Sequence, residues 1–263
     1  MALLPQKARD RRLVIMPMGD SLTYGLGAPG GYRKPLQDRL SGAGLRYDMV
    51  GAMPAVAGDP SPDRHHWGRD GWLISGERDP LTGKRYATLA ARPVRTSPFS
   101  RPLSRDIDAA ISPRHFSTAR GDGNVLLLQV GTNDVLNQVV ERGAGGPQAI
   151  GEAVLERLRS FLRQVDRRAR RAGLELEVLV GTLQQLAPTN SYGIAVSPVM
   201  RSEIQEVNRR LPALVRGSRF EAIEARVVPV GGAVGTNLMD GIHPSAVGYQ
   251  AMAGAWFQAI NQL

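Results

Sequence analysis

The 263 residues include no cysteine. That absence removes disulfides, thiolate metal sites and cysteine nucleophiles together. It leaves the compartment open, because secreted proteins without disulfides are common. Long apolar runs are missing as well. The first hydrophobic stretch, 13–18, is too short for the core of a signal peptide and far too short to span a bilayer. No membrane span is expected and no signal peptide is visible, although a chain from which one had been trimmed would be secreted. Lysine is scarce, at positions 7, 34 and 84, so nearly all the positive charge is arginine. A net charge of +9 allows nucleic acid, anionic lipid or acidic polysaccharide as partners and demands none of them. No recognised nucleic-acid motif accompanies the charge, so no nucleic-acid partner is expected. Nothing in the sequence sets the oligomeric state.

What is present suits one large domain. Apolar residues make up 42% of the chain, enough to bury a sizeable core. Short apolar or β-branched runs at 13–18, 47–50, 125–130, 176–183 and 225–230 read as strands. Between them, 32–40, 147–172, 199–215 and 244–263 read as helices. The longest shows Ile150, Val154, Leu158, Phe161, Leu162 and Val165 at helical spacing, with arginines opposite. Alternating strands and helices favour an α/β fold, a three-layer α/β/α sandwich around a mainly parallel sheet. The expectation is a single domain over 1–263. It carries a long Arg- and Pro-rich insertion at about 73–122, with at most a short helix at 104–111.

Three polar clusters follow predicted strands: Gly19-Asp20-Ser21-Leu22, Gly131-Thr132-Asn133-Asp134 and Asp240-Gly241-Ile242-His243-Pro244. In an open α/β sheet the loops leaving the carboxyl ends of strands line the ligand crevice, so the three clusters should meet at one edge. Their residue types suit acyl transfer. A serine hydroxyl needs a base, histidine is the base suited to neutral pH, and its second ring nitrogen needs an acceptor. Ser21, His243 and Asp240 are the candidates for those roles. An oxyanion needs preorganised donors, for which the Ser21 backbone N–H, the Asn133 amide and one glycine N–H are candidates.

In order and in strand context these clusters resemble the conserved blocks of the SGNH (GDSL) hydrolases. The stretches 15–21 and 240–249 look closest to the carbohydrate esterase family 3 branch, which removes acetyl groups from xylan. The resemblance runs from Leu13 to about Met252. It implies the flavodoxin-like SGNH hydrolase fold and a serine esterase acting through an acyl-enzyme. Deacetylation of O-acetylated carbohydrate is the first expectation for its activity. It also implies a catalytic set of Ser21, Asp240 and His243, an oxyanion hole of Ser21, Gly68 and Asn133, and no metal or organic cofactor. The segment His66-Trp67-Gly68-Arg69-Asp70-Gly71-Trp72 resembles the family's second block. Gly68 is placed in the oxyanion hole by its position before a polar pair and a further Gly-Trp, with Gly71 as the second choice. The family often has serine or threonine where Asp70 stands. The G-x-S-x-G elbow of the ordinary α/β-hydrolases is absent, since Thr23 follows Ser21 by two.

The expected partner is an ester substrate, small or polymeric. A lipid esterase or thioesterase on the same fold, and a carbohydrate-binding domain without turnover, are the rival readings. Asp20 and Asp134 read as loop props. His65 and His66 read as exposed loop residues, or as one residue touching substrate, and His115 as a surface residue. Trp67, Trp72 and Tyr86 are candidates either for stacking on sugar rings or for packing.

Overall fold

The computed structural model describes residues 11–79, 81–89, 101–143, 146, 148–191, 193 and 195–263. Most of the basic N-terminal stretch, residues 90–100 of the insertion, and Pro147 lie outside the described residues. In chain order the elements are β1 (Leu13–Gly19), α1 (Ser21–Tyr24), α2 (Arg33–Gly42), β2 (Tyr47–Met49), β3 (Trp67–Gly68), β4 (Tyr86–Thr88) and a 3₁₀ turn (Leu103–Asp106). Next come α3 (Ile107–Ala110), β5 (Gly123–Gln129), α4 (Thr132–Leu136), β6 (Val139–Glu141), α5 (Ala149–Ala172) and β7 (Leu176–Gly181). The chain ends with α6 (Pro198–Arg216), β8 (Ile223–Val228), α7 (Val230–Val234) and α8 (Ala246–Ile260).

The central sheet is parallel throughout, in the order β2-β1-β5-β7-β8, with β3 joining β1 beyond the end of β2. Both faces are covered, as parallel sheets require. Alternate residues of each strand go to opposite layers. Leu13, Ile15, Val125, Leu127 and Leu179 pack with Leu36 and Leu40 of α2 and Met252 and Trp256 of α8. Val14, Met16, Met18, Leu126, Leu128, Val178 and Val180 pack with Val154, Leu158 and Phe161 of α5 and Ile204 and Val207 of α6. The result is the expected three-layer sandwich.

Several boundaries differ from the sequence reading. The last strand stops at Val228 because Pro229 has no N–H to continue the ladder, and Val230 opens α7 instead. The third polar cluster therefore follows a short helix rather than a strand. Pro244 lies before the final helix rather than in its first turn, since the Ser245 hydroxyl caps that helix by accepting from the Gly248 N–H. The insertion is more structured than predicted. Its β4 pairs antiparallel with β6, and Leu73 bridges to Pro102.

Candidate active site

The nucleophile candidate sits where β1 gives way to α1. Strand β1 closes on β5 at Gly19, where a Cβ would lie 1.9 Å from the Gln129 carbonyl oxygen, so only glycine fits. Asp20 then starts the helix, its carboxylate accepting the Leu22 N–H at 3.1 Å. At the other end of this four-residue helix, Gly25 turns left-handed at φ 91° and stops it. Arg33 reaches from α2 to donate to the Thr23 and Tyr24 carbonyls at 3.0 and 3.2 Å and to the Asp59 carboxylate at 2.6 Å. A wholly buried ion pair thus clamps the C-terminal carbonyls of the helix that carries Ser21.

The histidine candidate lies in a tight turn after α7. Gly241 adopts φ 87°, and a Cβ there would lie 2.5 Å from the Thr189 carbonyl. The turn brings Asp240 back on the residues that follow it. One carboxylate oxygen accepts the Ile242 and His243 N–H groups at 2.9 and 2.7 Å, and the other faces His243 Nδ1 at 2.7 Å. Burial alone would raise the Asp240 pKa. The His243 backbone N–H and imidazole, with the Ile242 N–H, outweigh burial and hold it below the ordinary carboxylate value. An ionised carboxylate only accepts, so Nδ1 carries the proton and Nε2 is left as the acceptor. Nε2 lies 2.9 Å from the Ser21 hydroxyl. Ser21, Asp240 and His243 are all buried. This arrangement can draw a proton from serine and stabilise the imidazolium that results.

Asn133 stands in the first turn of α4, after Gly131 at φ 127°. Its side-chain amide donates to the Trp72 carbonyl at 3.0 Å, and its own carbonyl accepts from the Asn137 amide at 2.6 Å. The sequence reading placed Gly68 in the oxyanion hole, with Gly71 as the second choice. The Gly68 N–H donates to His66 Nδ1 at 3.1 Å. Gly68 is required for packing: a Cβ there would lie 2.6 Å from the Thr23 side chain, so glycine lets β3 press against α1. Gly71, by contrast, is buried in a turn at φ 72°, and its N–H meets no acceptor among the described residues. The reading of His66 is corrected. It is wholly buried, and burial, helped by Arg33, pushes its pKa down to about 3, so it is neutral and serves as an internal acceptor. Trp67, Trp72 and Tyr86 are buried and act as packing anchors, with the edge of His115 against Trp67 at 5.4 Å between centroids.

Two buried arginines escaped the sequence reading. Arg33 clamps α1 as described, and Arg157 pairs with Asp134 in the interior. Arg157 had a visible signal: it lies three residues after Val154 and four before Phe161, on the apolar stripe of α5. Asp20 is stranger still. Its second oxygen is buried without a hydrogen-bond partner, and burial, reinforced by Asp134 and Asp70, pushes its pKa up to about 8. Among the described residues no group of three or more His, Asp or Glu is placed to hold a metal ion. No helix there is long and apolar enough to cross a membrane.

The GDSL-like lipase/acylhydrolase family model matches residues 18–251, from just before the Ser21 turn to beyond the His243 turn. The chain belongs to that family. All three polar clusters lie within the matched span. A multidomain esterase of Ruminococcus flavefaciens is 26% identical over 274 residues, which cover 99% of this chain and 30% of that protein. The chain thus spans under a third of the length of this relative. Among solved structures, a family 3 carbohydrate esterase of Clostridium thermocellum superposes with a TM-score of 0.60 at 22% identity, covering 96% of this chain and 98% of the other. A carbohydrate acetylesterase from Sinorhizobium meliloti superposes at 0.57 with 18% identity, covering 96% and 99%. At these identities the likeness shows a shared fold.

Proposed function

We propose that this acylhydrolase removes O-acetyl groups from carbohydrate through a covalent acyl-serine. The observation that carries the mechanism is the relay from Ser21 through His243 to Asp240, with its 2.9 and 2.7 Å contacts. Ser21 Oγ attacks the ester carbonyl as its proton passes to His243 Nε2. Asp240 stabilises the imidazolium. The Ser21 N–H, the Asn133 amide and, in place of Gly68, the Gly71 N–H hold the oxyanion. Collapse releases the alcohol, which takes the proton from His243. A water then repeats the sequence to release acetate. The preference for acetylated sugar is supported by the named activities of the solved relatives.

A single domain over the whole chain is part of the same proposal, with the insertion as one wall of the crevice. A lipid or long-chain ester substrate is the second reading. Met239 and Val247, beside the His243 turn, are 54% and 63% exposed and offer an apolar rim for a longer acyl chain. Acetate release from acetylated oligosaccharides, set beside hydrolysis of short- and long-chain p-nitrophenyl esters, decides between them, with Ser21→Ala as the control. Faster turnover of long chains overturns the acetyl assignment.

A further inference from the structure

Residues 71–76 carry one side of the proposed oxyanion hole, yet they form no strand of the central sheet. Single bonds hold them. On the outer side, the Leu103 and Ser104 N–H groups donate to the Leu73 and Ile74 carbonyls at 2.8 and 3.1 Å. On the inner side, the Asn133 amide donates to the Trp72 carbonyl, and the Ile74 N–H donates to Asp134 Oδ2 at 3.1 Å. Asp134 Oδ1 accepts from Arg157 Nη1, and Arg157 Nη2 donates to the Gly76 carbonyl at 2.8 Å. Arg157 belongs to α5, the longest helix and one packed along a full face of the sheet. Its guanidinium is buried and lies 4.6 Å from the centroid of the Tyr86 ring.

We infer that Arg157 is a positioning residue for the oxyanion side of the site, a role that rests on the esterase reading above. One arm of its fork fixes Asp134, the residue after Asn133. The other fixes the far end of the segment whose Trp72 carbonyl orients the Asn133 amide. Together they lock α4 and residues 72–76 in one relation to each other. A buried ion pair is a weak source of stability, whereas a planar two-armed donor is a strong source of geometry. Lysine at this position keeps the charge but cannot serve Asp134 and Gly76 in the same fixed geometry. Displacements of about 1 Å at a reacting centre cost up to about a hundredfold in rate.

The test is steady-state kinetics on p-nitrophenyl acetate for Arg157→Lys, Arg157→Met, Asn133→Ala and the two double variants, each checked for a cooperative thermal melt. Arg157→Lys is expected to lower kcat about tenfold or more while KM moves by less than about twofold. In the Asn133→Ala background the same substitution is expected to cost less than about twofold further, because it acts through Asn133. If Arg157→Met does not fold, the Lys variant carries the test alone, with Asp134→Asn as its partner. Unchanged kcat in a folded Arg157→Lys enzyme, or losses that add in the double variant, overturn the positioning role and leave the esterase reading standing. Wild-type kcat in Asn133→Ala removes the oxyanion role of Asn133, and this inference with it.

Discussion

Replacing Asp20 by asparagine should change how the stability of this protein depends on pH, more than its stability at any one pH. The Asp20 carboxyl is buried, accepts one hydrogen bond, from the Leu22 N–H, and has a second oxygen with no partner. Burial, reinforced by Asp134 and Asp70, raises its pKa from 3.8 to about 8. The folded state therefore keeps a proton that the unfolded chain releases above about pH 4. A group raised in this direction contributes stability that is complete below its unfolded pKa and is lost as pH rises through the folded pKa. One proton is worth roughly 1.4 kcal/mol per pH unit, so from about pH 5 to about pH 7 the wild type should lose about 3 kcal/mol through this residue. Asparagine keeps the acceptor for Leu22 and has no proton to release. It introduces a pH-independent cost of about 1 to 3 kcal/mol for a buried amide lacking partners. Urea unfolding of both proteins at intervals from about pH 5 to about pH 8 gives the difference curve directly. That curve should slope by close to one proton, with asparagine relatively more stable at higher pH. Parallel curves would show that Asp20 is ionised in the folded protein and refute the reasoning.

The remaining expectations concern turnover and packing. Ser21→Ala should abolish acetate release and fluorophosphonate labelling while leaving the thermal melt close to wild type. Asp240→Asn should lower kcat by about a thousandfold or more through loss of the Nδ1 acceptor charge, measured at saturating substrate; a loss under tenfold would remove Asp240 from the relay. Gly68→Ala should destabilise the fold by about 1 to 3 kcal/mol, because the new methyl meets Thr23 at 2.6 Å. A neutral melt would show that β3 and α1 can move apart. On the alkaline side, kcat should fall as pH passes about 8 and Asp20 gains a negative charge one residue from Ser21; Asp20→Asn should flatten that fall, and an identical profile would sever the link.

The layers and the parallel sheet could be read from the sequence because their signals are local. Apolar runs such as 125–130 and the stripe from Ile150 to Val165 announce a strand and a helix without reference to distant residues. The meeting of Ser21 with His243 could be read because each belongs to a short polar motif following an element's end. What was missed depends on non-local pairing. The three residues of β4 find their partner at 139–141, over fifty positions away, and neither run is long enough to announce itself. The choice between Gly68 and Gly71 turns on which backbone N–H is already engaged, and the His66 ring engages that of Gly68 by a fold-back no local motif announces. The buried aromatic residues were ambiguous because burial and display on a loop use the same side chains.

The site gathers three buried carboxylates, and the donors supplied to each set its role. Asp240 receives two backbone N–H groups and an imidazole, which outweigh burial and keep it ionised to stabilise His243. Asp134 receives a backbone N–H and the guanidinium of Arg157, which oppose the upward push of its complete burial and tie it to the segment it anchors. Asp20 receives one N–H and no cation, so the least costly way for it to stay buried is to keep its proton. That assignment suits the proposed chemistry. A carboxylate one residue from Ser21 would oppose the negative charge that builds on the substrate carbonyl, whereas a neutral carboxyl caps α1 without adding to the field. Consistent with this, Arg33 pairs with Asp59 at the far end of α1 rather than with Asp20 beside Ser21. A cation beside Asp20 would ionise it, while at the helix's C-terminus the guanidinium meets the carbonyls it can satisfy.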